Sequence, residues 1–190
     1  MNQIPKKNTL LEFFNWRVKQ SSDDIVFKFN DREMTYREYD SKANSVAQGI
    51  IKEDCKPNAR IAILAKNSDY YTAILYGTIK SRTVLVGINW RLAPPEVVFV
   101  VNDSKSEILF VGPDFYKLIE GIEDQLPSIK KIVAMDDSHP VWESYTSWRD
   151  GQNNNNPDLT GNLEDDVIQL YTSGTTGHPK GVRMTNKNLL

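Results

Sequence analysis

Short apolar runs alternate with amphipathic stretches through the middle of the chain. Four runs typical of buried strands cover residues 60–65, 83–88, 107–111 and 129–134. Between them, apolar residues recur at steps of three and four, which is the period of one helix face. Ser68 is placed to cap the first of these helices. Short buried strands that alternate with helices predict βαβ units. We therefore expect an α/β fold with a mostly parallel sheet and flanking helices.

The segment before residue 60 carries its own helix signals. Thr9 is placed to cap a first helix through about Gln20, and Thr35 to Glu38 has the spacing of a capping box. Two short strands are predicted on either side of the Asn30-Asp31 turn. The second helix is predicted to bury one apolar face, which comprises Tyr39, Ala43, Val46, Ala47, Ile50 and Ile51.

Residues 136–161 interrupt the alternation of strands and helices. They include a polar run at 150–157 that contains four consecutive asparagines. We interpret the segment as a long polar surface loop with a short helix near Trp142 to Trp148. Because too little sequence follows to build another domain, residues 1–190 are assigned to part of one domain.

Composition adds few restrictions. The chain has 23 basic and 25 acidic residues among 190, with a formal charge of −2, which gives no indication of a nucleic-acid partner. No apolar run approaches the ~20 residues that span a bilayer, so we expect no transmembrane segment and leave peripheral membrane contact open. We also expect no secretory signal, because no apolar stretch follows the first residues.

Cysteine and histidine usage excludes two classes of site. The single Cys55 cannot form an internal disulfide, and this fits a reducing compartment such as the cytoplasm. We interpret Cys55 as a structural residue. One cysteine cannot complete a zinc cluster with His139 and His178.

One segment, from Tyr171 to Gly181, is rich in residue types that bind phosphate. Its glycines let the main chain approach a ligand, and successive N–H groups can form a concave anion site. Its hydroxyls add donors, and Lys180 adds a mobile positive charge. An apolar run at 166–171 predicts a strand that leads directly into it. The alternative, a polar surface loop without a ligand, stays open.

The segment does not match the common nucleotide-binding patterns. A Walker A loop needs a glycine, four residues, and then Gly-Lys-Ser/Thr, whereas only two residues separate Gly174 from Gly177 and Gly181 follows Lys180. The Gly-x-Gly-x-x-Gly pattern is also absent. An unrelated phosphate-binding NTPase is therefore a weak alternative.

The segment instead resembles, residue by residue, the signature of the adenylate-forming enzymes. Ser173 to Gly181 fits that signature throughout, with His178 at its variable position. The family includes acyl-CoA synthetases, aryl-CoA ligases, luciferases and peptide synthetase adenylation domains. Asn89 to Leu92 also resembles an Asn-x-Arg-Leu segment of many acyl-CoA synthetases, which favours a fatty or aryl acid over an amino acid. For Arg91 itself we favour a surface charge near a helix entry.

The resemblance implies a two-step reaction. A carboxylate attacks the α-phosphate of ATP, and a thiol, usually of coenzyme A, then takes the acyl group. ATP and Mg²⁺ are the implied cofactors, and a carboxylic acid is the implied partner. No catalytic residue and no metal ligand is assigned within this chain. The implied phosphate-binding residues are Thr172, Ser173, Gly174, Thr175, Thr176, Gly177, His178, Pro179, Lys180 and Gly181.

Two departures qualify the resemblance. Many members have a histidine where this chain has Asn186. The family's downstream Tyr-Gly-x-Thr-Glu and Thr-Gly-Asp segments and its small C-terminal domain do not occur in these residues. We therefore expect an N-terminal fragment of an acyl-CoA synthetase that is inactive alone, belongs to an incomplete AMP-binding domain and exposes a sheet edge. The alternative is a non-catalytic nucleotide-binding or regulatory remnant.

Overall fold

A computed structural model describes residues 6–172 and 179–190. Strands and helices alternate along most of the chain, as the apolar pattern predicts. The helices are α1 Leu10–Gln20, α2 Tyr36–Lys52, α3 Asp69–Lys80, α4 Pro94–Ser104, α5 Tyr116–Glu120, α6 Tyr145–Asp150 and α7 Asn186–Leu189. The strands are β1 Ile25–Phe29, β2 Arg32–Thr35, β3 Arg60–Leu64, β4 Val84–Gly87, β5 Ser106–Val111, β6 Lys131–Ala134, β7 Glu143–Ser144, β8 Asp166–Thr172 and β9 Lys180–Thr185.

Seven strands form one mixed sheet in the order β7-β6-β5-β3-β4-β8-β9. Every neighbouring pair is parallel except β8 and β9, which pair antiparallel. The expected α/β fold with a mostly parallel sheet is therefore confirmed. The last strand in this order, β9, exposes residues 180–183, as expected for an open sheet edge.

The two faces of the sheet bury separate apolar layers because successive strand residues point to opposite sides. In β3, Ala62 and Leu64 face one layer, and Ile61 and Ile63 face the other. Helices α4 and α5 cover the first layer, and α2, α3 and α6 cover the second. This double coverage explains why the central strands contain almost only apolar residues.

The N-terminal elements form a smaller layer against α2 and α3. Phe14 of α1 packs on Tyr39 and Tyr76, with ring centroids 5.6 and 4.3 Å apart. The β1–β2 hairpin is held to the start of α3 by Arg32, which donates to both carboxylate oxygens of the buried Asp69 at 2.5 and 3.0 Å. Neither contact is visible in the local sequence pattern.

The helix starts confirm the capping predictions. Thr9 Oγ1 accepts from Glu12 N at 3.1 Å, and Ser68 Oγ accepts from Tyr71 N at 3.2 Å. At α2 the capping box forms in both directions, since Thr35 N also donates to Glu38 at 2.8 Å. The pairing lowers the pKa of Glu38, mainly through the backbone hydrogen bond.

Some predicted details differ from the structure. Ile51 was expected on the buried face of α2 but is 39% exposed, because it lies near the end of the helix beside solvent. The interval assigned to a polar loop contains the short strand β7 as well as the expected helix, α6. Trp148 of α6 is buried against Phe110, and its Nε1 donates to Glu53 at 3.3 Å. The tryptophans of this interval therefore pack on the body, as predicted.

Helices α2 and α3 approach each other closely at Gly77. A Cβ atom added there would lie 2.2 Å from Val46 Cγ1 and 2.6 Å from Val46 Cβ. Both helices are held in a buried layer, so neither can retreat without opening the core. Gly77 is therefore required by packing, although glycine disfavours the helix interior.

We predict that Gly77→Ala lowers the free energy of unfolding by about 1–3 kcal/mol through overpacking. Urea unfolding followed by circular dichroism measures the change. Gly121→Ala is the matched control, since its added Cβ meets nothing nearer than 3.5 Å. Adding Val46→Ala to Gly77→Ala should recover part of the loss, and an equal loss in both glycine variants would contradict the packing argument.

Candidate phosphate-binding site

The predicted phosphate-binding segment lies between strands β8 and β9, which form a hairpin. Strand β8 ends at Thr172 and β9 begins at Lys180, and these two residues are partners in the register. Both are exposed, and Pro179 between them is half-buried. The predicted site residues Ser173, Gly174, Thr175, Thr176, Gly177 and His178 lie outside the described residues. The ends of the segment thus stand side by side on adjacent strands.

The hairpin projects from the carboxyl edge of the parallel strands. Strand β8 runs parallel to β4, with Leu85 opposite Ile168 and Gly87 opposite Leu170. Because β3, β4, β5 and β6 run the same way, the chain leaves all of them at the same edge. Ligands of open α/β sheets bind at this edge. The predicted segment therefore occupies a position that suits a ligand site.

Tyr171 fixes the base of the hairpin, a name used here for the strand residues 169–172 and 180–181 next to the predicted segment. Its hydroxyl donates to Asp103 Oδ2 of α4 at 2.5 Å and accepts from Gln169 Nε2 at 3.0 Å. Its ring meets Phe99 edge-on, with centroids 6.4 Å apart. Burial, and then the bond to Asp103, raise the pKa of Tyr171 above its usual value. Sequence reasoning missed Asp103, because nothing local marks a partner 68 residues away.

Gly181 lies against the side chains of Gln169 and Tyr171. A Cβ atom at this position would lie 2.7 Å from Gln169 Nε2 and 3.1 Å from Tyr171 Cζ. A side chain here would push Gln169 and Tyr171 apart. Of the predicted residues, Gly181 therefore supports the hairpin base and lies inside β9.

Lys180 keeps its positive charge free of acidic partners. Within residues 6–172 and 179–190, no carboxylate lies within salt-bridge distance of Lys180. A surface lysine with no acidic partner can attract an anion at modest desolvation cost. The hydroxyl of Thr172, its register partner, adds a neutral donor beside it. This pair is the part of the predicted site that the structure brings together.

Asn186 follows β9 at the end of the hairpin away from the predicted segment, and it is hydrogen-bonded to the start of α1. Its Oδ1 accepts from Leu10 N at 3.0 Å, and its Nδ2 donates to Asn162 O at 2.9 Å. Asn186 is 5% exposed. The residue that departs from the family pattern therefore satisfies a free amide at the start of α1, and the predicted helix start after Thr185 is confirmed.

A cavity of about 370 Å³ lies farther along the same edge, beyond the ends of β3, β5 and β6. Its lining includes Phe29, Tyr70 and Phe115 as well as Lys66, whose Nζ lies 2.9 Å from Asp114 Oδ2. The crevice sits where the strand order changes direction, between β3 and β5. The carboxyl edge thus offers a second concave surface beside the hairpin.

Other chemistries find little support in the described part of the chain. No group of three or more His, Cys, Asp or Glu side chains there is placed to hold a metal ion. Burial, followed by repulsion from Glu107, raises the pKa of Cys55 to about 12, so the thiol stays protonated and agrees with a structural role. None of the helices described is long and apolar enough to cross a membrane.

The fold is that of an α/β protein in which the β8–β9 hairpin lies beside the carboxyl ends of parallel strands. The sequence model of the AMP-binding enzyme family matches residues 14–190. The chain belongs to the AMP-binding enzyme family.

Two relatives above 30% identity are named as ligases of fatty acids. The chain is 33% identical over 187 residues to a fatty acid–[acyl-carrier-protein] ligase, ScoC, of Streptomyces coeruleorubidus, covering 97% of this chain and 34% of that protein. It is 31% identical over 159 residues to a long-chain-fatty-acid–CoA ligase, FadD13, of Mycobacterium tuberculosis, covering 84% of this chain and 31% of that protein. The chain therefore spans about a third of the length of these relatives.

A solved structure agrees with this assignment. The anthranilate CoA ligase AuaEII, in complex with anthranoyl-AMP, superimposes with a TM-score of 0.90 at 27% identity. The match covers 96% of this chain and 36% of that one. The fold of this chain is thus the fold of the N-terminal part of an adenylate-forming enzyme.

We predict that Tyr171→Phe lowers the free energy of unfolding by about 1–2 kcal/mol, because Asp103 and Gln169 lose a shared partner. Chemical unfolding of Tyr171→Phe, Asp103→Ala and the double variant measures the coupling. The double variant should cost clearly less than the sum of the single variants. Additive losses would show that the hydroxyl does not brace the hairpin through Asp103.

Proposed function

We propose that this chain supplies the polyphosphate-binding part of an AMP-forming acid–thiol ligase. The observation that carries the proposal is the pairing of Thr172 with Lys180 at the base of the β8–β9 hairpin, where Lys180 has no carboxylate partner among residues 6–172 and 179–190. Family membership and the names of the relatives support the same activity. The proposed ligand is ATP, bound through its phosphates.

The proposed reaction has two balanced steps. The carboxylate oxygen of an acid attacks the α-phosphorus of ATP, the bond to the β-phosphate oxygen breaks, and pyrophosphate leaves with that electron pair. The sulfur of a thiol then attacks the acyl carbon and releases its proton to solvent, the acyl carbon–oxygen bond breaks, and AMP leaves with that electron pair as the thioester forms. The negative charge that develops on pyrophosphate needs preorganised donors and positive charge.

The residues of the segment are assigned to stabilising that negative charge. We assign the hydroxyls and N–H groups of Thr172, Ser173, Thr175 and Thr176 to the β- and γ-phosphates. Gly174 and Gly177 let the backbone approach, and Lys180 adds positive charge at the far side of the segment. His178, Pro179 and Gly181 complete the segment, and Gly181 does so by letting Tyr171 and Gln169 close on the hairpin base.

Magnesium is proposed to arrive with the nucleotide. Mg²⁺ keeps several waters and is commonly held by substrate phosphates with one or two protein ligands. A hydroxyl-rich segment fits that arrangement, because a threonine or serine oxygen can complete the coordination of a metal that phosphates already hold. When bound, the ion would neutralise charge on the phosphates.

The acid is proposed to be a fatty or aryl acid, and the acceptor a thiol of coenzyme A or of a carrier protein. The names of the relatives support this class. Since the chain spans about a third of their length, we expect the 190 residues alone to bind nucleotide without forming acyl-adenylate. We also assign the protein to the cytoplasm, because its one cysteine is a buried thiol.

We predict that Lys180→Gln weakens binding of Mg·ATP about five- to tenfold, which corresponds to roughly 1–1.4 kcal/mol. Isothermal titration calorimetry of the purified chain measures the dissociation constants. Lys187→Gln is the matched control, because Lys187 is an exposed lysine of α7 that pairs with Glu164, which precedes β8. Equal weakening in both variants would show that the loss of affinity comes from the change in net charge. If the unaltered chain shows no saturable binding, the proposed site is refuted.

A further inference from the structure

Strand β9 forms an open edge of the sheet. It pairs with β8 on one side, and among residues 6–172 and 179–190 no strand pairs with it on the other. Residues 180–183 are exposed. A strand at the edge of a sheet carries backbone N–H and C=O groups that can pair with another chain. Strand β9 therefore offers a template for one further strand.

One face of the β8–β9 hairpin is apolar and only partly covered. Leu170 lies opposite Val182, and Ile168 lies opposite Met184, so these four side chains share one face. Leu170 is 41% exposed and Val182 is 44% exposed. A Cβ atom added at Gly87 of β4 would lie 3.1 Å from Leu170 Cδ2, so Leu170 reaches back over β4. The apolar face thus continues from the body of the sheet to its open edge.

This edge is complementary to itself in one register. When a two-fold axis relates two antiparallel edge strands, the residue at the axis lies opposite its own counterpart, and all other pairs follow. An axis at Val182 sets Lys180 opposite Met184 of the second copy, and Gly181 opposite Arg183 of the second copy. This register places no like charges opposite each other. Residues directly opposite share a face, so the two apolar faces become continuous.

The registers on either side are less favourable. An axis at Arg183 places two guanidinium groups opposite each other, which is destabilising, and an axis at Gly181 sets Lys180 against Val182. With the axis at Val182, the Lys180 residues of the two copies are four positions apart along the strands, or about 14 Å. That distance exceeds the Debye length of ~8 Å at physiological ionic strength. Arg183 keeps its contact with Asp166 Oδ2 at 3.4 Å, and the glycine opposite it leaves room for its side chain.

We propose that two copies of this chain associate through β9, which pairs antiparallel with itself around Val182 and joins the two sheets into one. The partner is a second copy because the edge matches itself in both charge and apolar pattern. The axis is perpendicular to the joined sheets, so the carboxyl edges of the two copies face opposite directions. Each predicted phosphate-binding segment therefore stays on the edge of its own copy. The inference is independent of the proposed function, since it uses no contact with a ligand.

Sedimentation equilibrium of the full chain measures the association. A single pair of strands makes a small interface, so we expect the mass to rise from the 21.7 kDa of one chain toward twice that value between about 1 and 300 µM. Val182→Lys places two ammonium groups opposite each other at the axis. Val141→Lys is the matched control, because Val141 is 82% exposed in the loop before β7. Unfolding curves that match the unaltered chain establish that both variants are folded.

We expect Val182→Lys to weaken dimerisation about tenfold or more and Val141→Lys to leave the dissociation constant unchanged. A dimer that Val182→Lys leaves intact would overturn the inference, and so would an unaltered chain that remains monomeric throughout the series.

A cross-linking experiment tests the register without adding charge. Val182→Cys places two thiols opposite each other at the axis, so mild oxidation should link two copies through residue 182. Val141→Cys should remain unlinked under the same conditions, and the native Cys55 is buried. Equal rates of linking in the two variants would contradict pairing around Val182.

Discussion

The parallel pairing of β4 with β8 is the constraint on which the candidate site depends. It joins the C-terminal hairpin to a sheet that the preceding βαβ units have already built. Because the paired strands run in one direction, the turn after β4 and the segment after β8 emerge at one edge. Without this pairing, Thr172 and Lys180 would have no fixed relation to the carboxyl ends of the parallel strands.

Side-chain contacts then hold the hairpin at a definite angle to the sheet. Tyr171 connects it to α4 through Asp103, and Asn186 connects its far end to α1. Gly181 allows Gln169 and Tyr171 to close over the base. These contacts lie on the strands and helices around the segment, so the frame of the site is set before any ligand binds. Such a frame is what a site for developing charge needs.

Local signals in the sequence predicted most elements and the position of the segment. Thr9, Thr35 and Ser68 act within one turn of their helices, and the apolar runs determine the strands, so both follow from neighbours in the chain. The Tyr171–Asp103 contact and the strand β7 could not be predicted, because each depends on partners that only the fold brings together. The prediction that Ile51 is buried was wrong for a related reason. Periodicity predicts which face of a helix is apolar, but it does not show that solvent reaches that face near the end of the helix.

Hydrogen–deuterium exchange of the intact chain, with and without saturating Mg·ATP, tests most directly whether the carboxyl edge binds a polyphosphate. The account predicts slower exchange in peptides that cover residues 172–181. Peptides at the opposite edge, around residues 57–60 and 164–166, should exchange as before. Protection at the opposite edge, or no change at the hairpin under saturating nucleotide, would contradict the account.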